Sequence, residues 1–115
     1  MPAASDSPLS AESLNAALLA YVATFPAPER LRAHLEANGL TEHAAPFELE
    51  LKAATRSAEA FIYAAAAAGQ EKWDAAFNER FFQAVAAQHP WISREAFKRL
   101  ESFGQYLNWH DGLGL

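Results

Sequence analysis

The sequence predicts an all-α protein, a single-domain irregular or orthogonal bundle of about five helices. Three observations carry this. Residues 47–69, FELELKAATRSAEAFIYAAAAAG, keep a helical period with no proline or glycine before Gly69. Elsewhere Pro26, Asn38-Gly39, Gly69, His89-Pro90 and Gly112 fall where one apolar period stops. The alternation in FELEL has no second strand signal to pair with, so the helical period takes precedence.

The first helix is expected over 10–25. Ser10 is its N-cap, Leu14, Leu18, Tyr21, Val22 and Phe25 form one apolar stripe, and Pro26 stops it. The second, over 28–38, opens on Pro28 and has a thin apolar side, Leu31 and Leu35 with His34 beside them. Gly39 suits the left-handed position after its end, with Leu40 folding back onto Leu35. Residues 40–46 are a connection in which Thr41 caps a brief turn.

The third helix, over 47–68, is the centre of the bundle. At about 100° per residue, Phe47, Leu51, Ala54, Ala58, Phe61, Ile62 and Ala65 share a core face. Ala53, Ala60, Ala64 and Ala67 form a second face with little side chain, against which another helix is expected to pack closely. Glu48, Lys52, Arg56 and Glu59 take the remaining sector. The fourth helix, over 72–88, turns Trp73, Phe77, Phe81, Ala84 and Val85 inward and Phe82 elsewhere. The fifth, over 93–111, has Ser93 as N-cap and Ile92 and Phe97 at the spacing of a hydrophobic staple. Its inner face is Ala96, Phe97, Leu100, Phe103, Gly104 and Leu107. A glycine inside a helix costs about 1 kcal/mol relative to alanine. A close crossing would offset that, and the alanine face of the third helix is the expected partner.

A chain of 115 residues fits one domain, and 51% apolar content is enough for one core. Residues 1–9 read as a flexible N-terminal tail and 10–115 as the helical domain. The formal net charge of −5, from 14 acidic and 9 basic residues, argues against nucleic-acid binding, which needs a basic footprint. With no cysteine, disulfides and thiolate sites are excluded. The N-terminus lacks a basic and an apolar region of secretory type, and the longest apolar run, 60–68, is far short of a membrane span of about 20 residues. A cytoplasmic protein with no membrane association is expected. The heavy use of alanine points to GC-rich bacterial coding.

No catalytic motif is present: HExxH, GxSxG and a glycine-rich phosphate loop are all absent. His34, His43, His89 and His110 stand apart, with none at helical spacing from another, and only His110 has an adjacent carboxylate, Asp111. No catalytic residue, metal site or cofactor is therefore expected. Glu50 and Ser57 fall between the core and alanine faces of the third helix and are expected to be partly buried. A buried carboxylate needs a partner, for which Arg80 and Arg99 are the candidates.

The candidate binding surface is at the end of the fifth helix. Trp109 lies more than about 90° from the centre of the apolar face, among Lys98, Ser102 and Gln105, with Tyr106 and His110 at the edge. A tryptophan on a polar face is a candidate anchor for a partner; Leu113, Leu115 and the N-terminal tail are the segments able to cover it instead. These features fit a small acidic helical protein that works by protein–protein binding, as an inhibitor, immunity-type protein or adaptor. Two other readings fit the same residues. One is a small-ligand or metal-binding domain with a pocket near Tyr106, His110 and Asp111. The other is a homodimer or larger homo-oligomer in contact through Phe82 and the alanine face.

Overall fold

The computed structural model describes residues 9–115. Of the expected tail, 1–9, all but Leu9 lies outside the described residues, and Leu9 packs partly buried against the core. Five α-helices follow in order: α1 (Ala11–Tyr21), α2 (Pro28–Ala37), α3 (Ala44–Ala67), α4 (Ala75–Gln88) and α5 (Arg94–His110), with a 3-10 turn, Thr41–His43, leading into α3. The described residues contain no strand, only one isolated bridge between Val22 and Pro26. None of the helices is long and apolar enough to cross a membrane.

Helix α3 is central, as expected, although its alanine face is not one of the packed sides. It packs against every other helix, and α1 and α5 close the bundle against each other. Phe47, Leu51, Ala54, Ala58 and Ile62 of α3 are buried together with Phe77, Phe81 and Val85 of α4 and Phe97, Leu100 and Phe103 of α5. An aromatic stack holds this centre: Phe61 lies parallel to Phe81 at 5.2 Å, and Phe97 meets Phe81 edge-on at 4.9 Å.

The caps form where the side chains provide them. Ser10 accepts from Ser13 N, Asp74 from Phe77 N and Ser93 from Ala96 N. Asp74 moves the start of α4 to Ala75, so Trp73 precedes the helix rather than sitting in it. After α2, Gly39 takes φ 68° and Leu40 N bonds back to Leu35 O at 2.8 Å, which turns Leu40 onto the core. Helix α3 starts three residues earlier than its pattern suggests, with Pro46 in the first turn, where its missing N–H has no helical acceptor.

Three expectations are corrected. Helix α1 ends at Tyr21, not Phe25. The residue before Pro26 is disfavoured in helical conformation, and the chain turns by an Ala27 N to Tyr21 O bond. Arg30 binds the carbonyls of Ala20, Tyr21 and Phe25 across this turn. Phe25 is therefore 51% exposed instead of core.

The second correction concerns the alanine face of α3. Ala60, Ala64 and Ala67 are exposed and only Ala53 is half-buried, so no helix packs along it. The third is the partner of Gly104. A Cβ there would meet Trp73 Cη2 at 2.9 Å, Ile62 Cγ1 at 3.2 Å and Phe81 Cε2 at 3.2 Å. The close approach exists, but it accommodates two aromatic rings and the core face of α3, not the alanines.

Phe82 is covered within the chain as well. It packs edge-on to Phe97 at 5.1 Å, and the Arg94 guanidinium lies 4.2 Å from its ring centre.

Candidate functional site

The C-terminal end of α5 carries a connected aromatic surface. Trp109 is 77% exposed, more than any other large hydrophobic side chain described. The C-terminal segment does not cover it. Asn108 accepts from Leu115 N at 2.9 Å and donates to Leu115 O at 2.8 Å, and Leu113 and Leu115 pack on the core. Tyr106 stands 6.3 Å from Trp109, is stacked on His110 at 5.3 Å, and tilts against Phe25 at 5.8 Å. The early end of α1 is what delivers Phe25 to this surface. Gln105 and Ser102 are exposed beside it and form a polar margin.

A polar chain fixes His110. Its Nδ1–H donates to Asp111 Oδ1 at 2.9 Å, and Asp111 also accepts from the Tyr63 hydroxyl, on the exposed side of α3. These bonds, Tyr63 first, hold the Asp111 carboxyl below its usual range. The same bond to Asp111 pushes the Tyr63 phenol up to about 12. In the neutral imidazole this leaves Nε2 as an outward-facing acceptor. His110 and Asp111 thus come together, as their adjacency allowed. They offer a metal two side chains at most, and no group of three or more His, Cys, Asp or Glu able to hold an ion occurs among the described residues.

Trp109 differs from the other tryptophans in one respect. Trp73 Nε1 donates to Asn78 Oδ1 at 3.1 Å and Trp91 Nε1 to Glu50 Oε1 at 3.2 Å. The Trp109 indole N–H has no acceptor among the described residues. An indole ordinarily pairs this donor when it can.

Glu50 and Ser57, singled out for partial burial, are both half-buried, but their partners are not the expected arginines. Glu50 accepts from Trp91. Arg80 bonds Gln70, and Arg99 donates to Leu19 O and Val22 O at the end of α1. Ser57 Oγ–H donates to Gln88 Oε1 at 3.1 Å and its oxygen lies 2.9 Å from His89 Nε2, which donates in the matching tautomer. A serine beside a histidine has the spacing of an activated nucleophile. Here the hydroxyl is already given to Gln88, and the surrounding backbone N–H groups are spent within α3. The group joins α3 to the end of α4. Burial holds His89 below the ordinary histidine value, against the opposing pull of the Glu50 carboxylate.

Four residues of these clusters escape a reading by period: Phe25, Tyr63, His89 and Asn15. Tyr63 carried the signal that exposed Trp109, an aromatic opposite the core stripe of its helix. Asn15 donates to Trp91 O at 2.7 Å and to Ala11 O at 2.9 Å, and accepts from Ser93 N at 2.9 Å. No pattern links positions so far apart.

No family model matches the chain, and neither curated proteins nor solved structures give a match.

Proposed function

We propose that this protein acts by binding another protein through the surface formed by Phe25, Tyr106, Trp109 and His110, in an inhibitor, immunity-type or adaptor role. The observation that carries the reading is the exposed Trp109 indole, whose N–H has no acceptor among the described residues, set among rings that hold one another. An anchor residue combines a large apolar area with a donor for the partner. The rings are held before any partner arrives, since Tyr106 is flanked by Phe25 and His110 and His110 is tied through Asp111 to Tyr63. That lowers the ordering cost of association. Gln105 and Ser102 provide the polar margin such patches have. The acidic net charge of −5 favours encounter with a basic partner.

The test is site-specific photo-crosslinking in cells that produce the protein natively. A benzophenone side chain at position 109 is expected to trap one discrete partner. The same group at Leu49, which is 70% exposed on α3, serves as the control and is expected to trap none. Equal, diffuse cross-linking from both positions would refute the reading. A cross-linked pair of identical chains would move it to a homo-oligomer.

A further inference from the structure

Ala64 of the exposed alanine face, with Ala65 and Ala68, borders a groove of about 410 Å³ between the C-terminal part of α3 and the start of α4. We propose that it binds a small amphipathic carboxylate, an aromatic or short aliphatic acid, with the apolar body in the groove and the carboxylate on Arg80. The volume falls in the range of small-molecule sites, about 300–1,000 Å³.

The groove has two chemically distinct parts. Its inner part is apolar and rigid: Phe77 is buried, and Phe61 is fixed against Phe77 at 5.6 Å and against Phe81 at 5.2 Å. Ala64 and Ala68 border it, and their side chains are too short to fill it. Helix propensity alone does not explain why alanine stands there, since leucine or glutamate serves a solvent-facing helix nearly as well. The alanines keep the space open.

Among the described residues the rim carries one cation, Arg80. Its guanidinium lies 5.7 Å from the Phe77 ring centre and donates to Gln70 Oε1 at 3.1 Å, while Gln70 in turn donates to Lys72 O at 2.8 Å. Arg80 is thus oriented at the groove, yet it makes no ion pair among the described residues. Its remaining N–H donors match a carboxylate in the two-point geometry that guanidinium favours. An apolar groove with a cation at its edge that has no ion-pair partner among the described residues is complementary to an apolar body with one negative end.

The probes are naphthoate and octanoate, titrated at millimolar concentration into isotope-labelled protein and followed by amide shifts. Saturable shifts are expected at Ala64, Ala65, Gly69 and Arg80 with at least one of the two acids, and the tighter one identifies the body the groove prefers. Arg80→Gln is expected to weaken binding about tenfold by removing a charge-assisted pair. Ala64→Leu should abolish it by filling the groove. Both positions are exposed, so both variants should keep the helical spectrum. Naphthylmethanol, which lacks the charge, tests the same point on the unaltered protein and should also bind about tenfold more weakly than naphthoate. The proposal is overturned by an absence of shifts with both acids, by equal binding of acid and alcohol, by shifts confined to the Trp109 surface, or by variants that bind like the original chain.

Discussion

At Gly104 one added methyl group sets two effects of opposite sign against each other. Alanine would gain about 1 kcal/mol of helix propensity. It would also place a Cβ within 2.9 Å of Trp73 Cη2 and 3.2 Å of Phe81 and Ile62. The indole cannot swing aside freely, because its N–H is bonded to Asn78. Overpacking a filled site costs typically about 1–3 kcal/mol. Gly104→Ala is therefore expected to lower stability by roughly 1 kcal/mol, and Gly104→Leu by more, in chemical denaturation. An alanine variant more stable than the original would mean that the rings yield. The glycine was legible in the sequence as a close approach, since nothing else justifies it inside a helix. Its neighbours were not: the small side chains of α3 pointed to its alanine face, whereas the contact is made by the core-face Ile62 with Trp73 and Phe81. Only the three-dimensional path of α4 brings in Phe81 and the preceding Trp73. Glu50 is a similar case: its partial burial follows from its place on the wheel, whereas its partner Trp91 comes from a loop.

At the scale of elements, the junction between α4 and α5 is held by polar side chains from two other helices. Asn15 of α1 binds Trp91 O and Ser93 N, and Ser57 of α3 binds His89. Asn15→Ala leaves those two backbone groups without their partner and is expected to cost about 1–3 kcal/mol, seen as a lower unfolding midpoint and faster hydrogen exchange at Ser93. An unchanged midpoint would show that water replaces the amide without loss. His89 gives the same junction a pH dependence. Burial lowers its folded-state pKa below 6.5, so the unfolded chain takes up the proton first. The stabilisation is complete above 6.5 and is lost as pH falls through the folded-state value. Denaturation midpoints measured down a pH series should show this decline, and His89→Gln should flatten it. A variant with the same slope would assign the decline to other groups. The helices themselves, with Ser10, Ser93 and Gly39 at their ends, could be read from period and capping chemistry. The early end of α1 could be read only in part. Pro26 marks a stop, but the retreat to Tyr21 depends on Arg30 and the Ala27 bond, which are made after the chain reverses.

For the molecule as a whole, the buried side holds the fold and the exposed aromatic side carries the proposed binding function. The core is closed by Phe47, Phe81 and Leu100, none of which reaches solvent. At the end of α5, Trp109 is 77% exposed and contributes little to that core, so it is open to change without unfolding. This central member of the aromatic surface was visible in the sequence, because Trp109 sits opposite a well-defined apolar face. Phe25 and Tyr63 join the surface only through the fold. The most direct measurement is the affinity of the cross-linked partner, once identified, for the original chain and for Trp109→Ala, with thermal unfolding of both followed in parallel. Loss of a true anchor should weaken binding by about 2 kcal/mol or more, roughly thirtyfold, while the unfolding temperature stays within a few degrees. A Trp109→Ala protein that keeps full affinity, or one that loses it only because it no longer folds, would contradict the assignment of this surface.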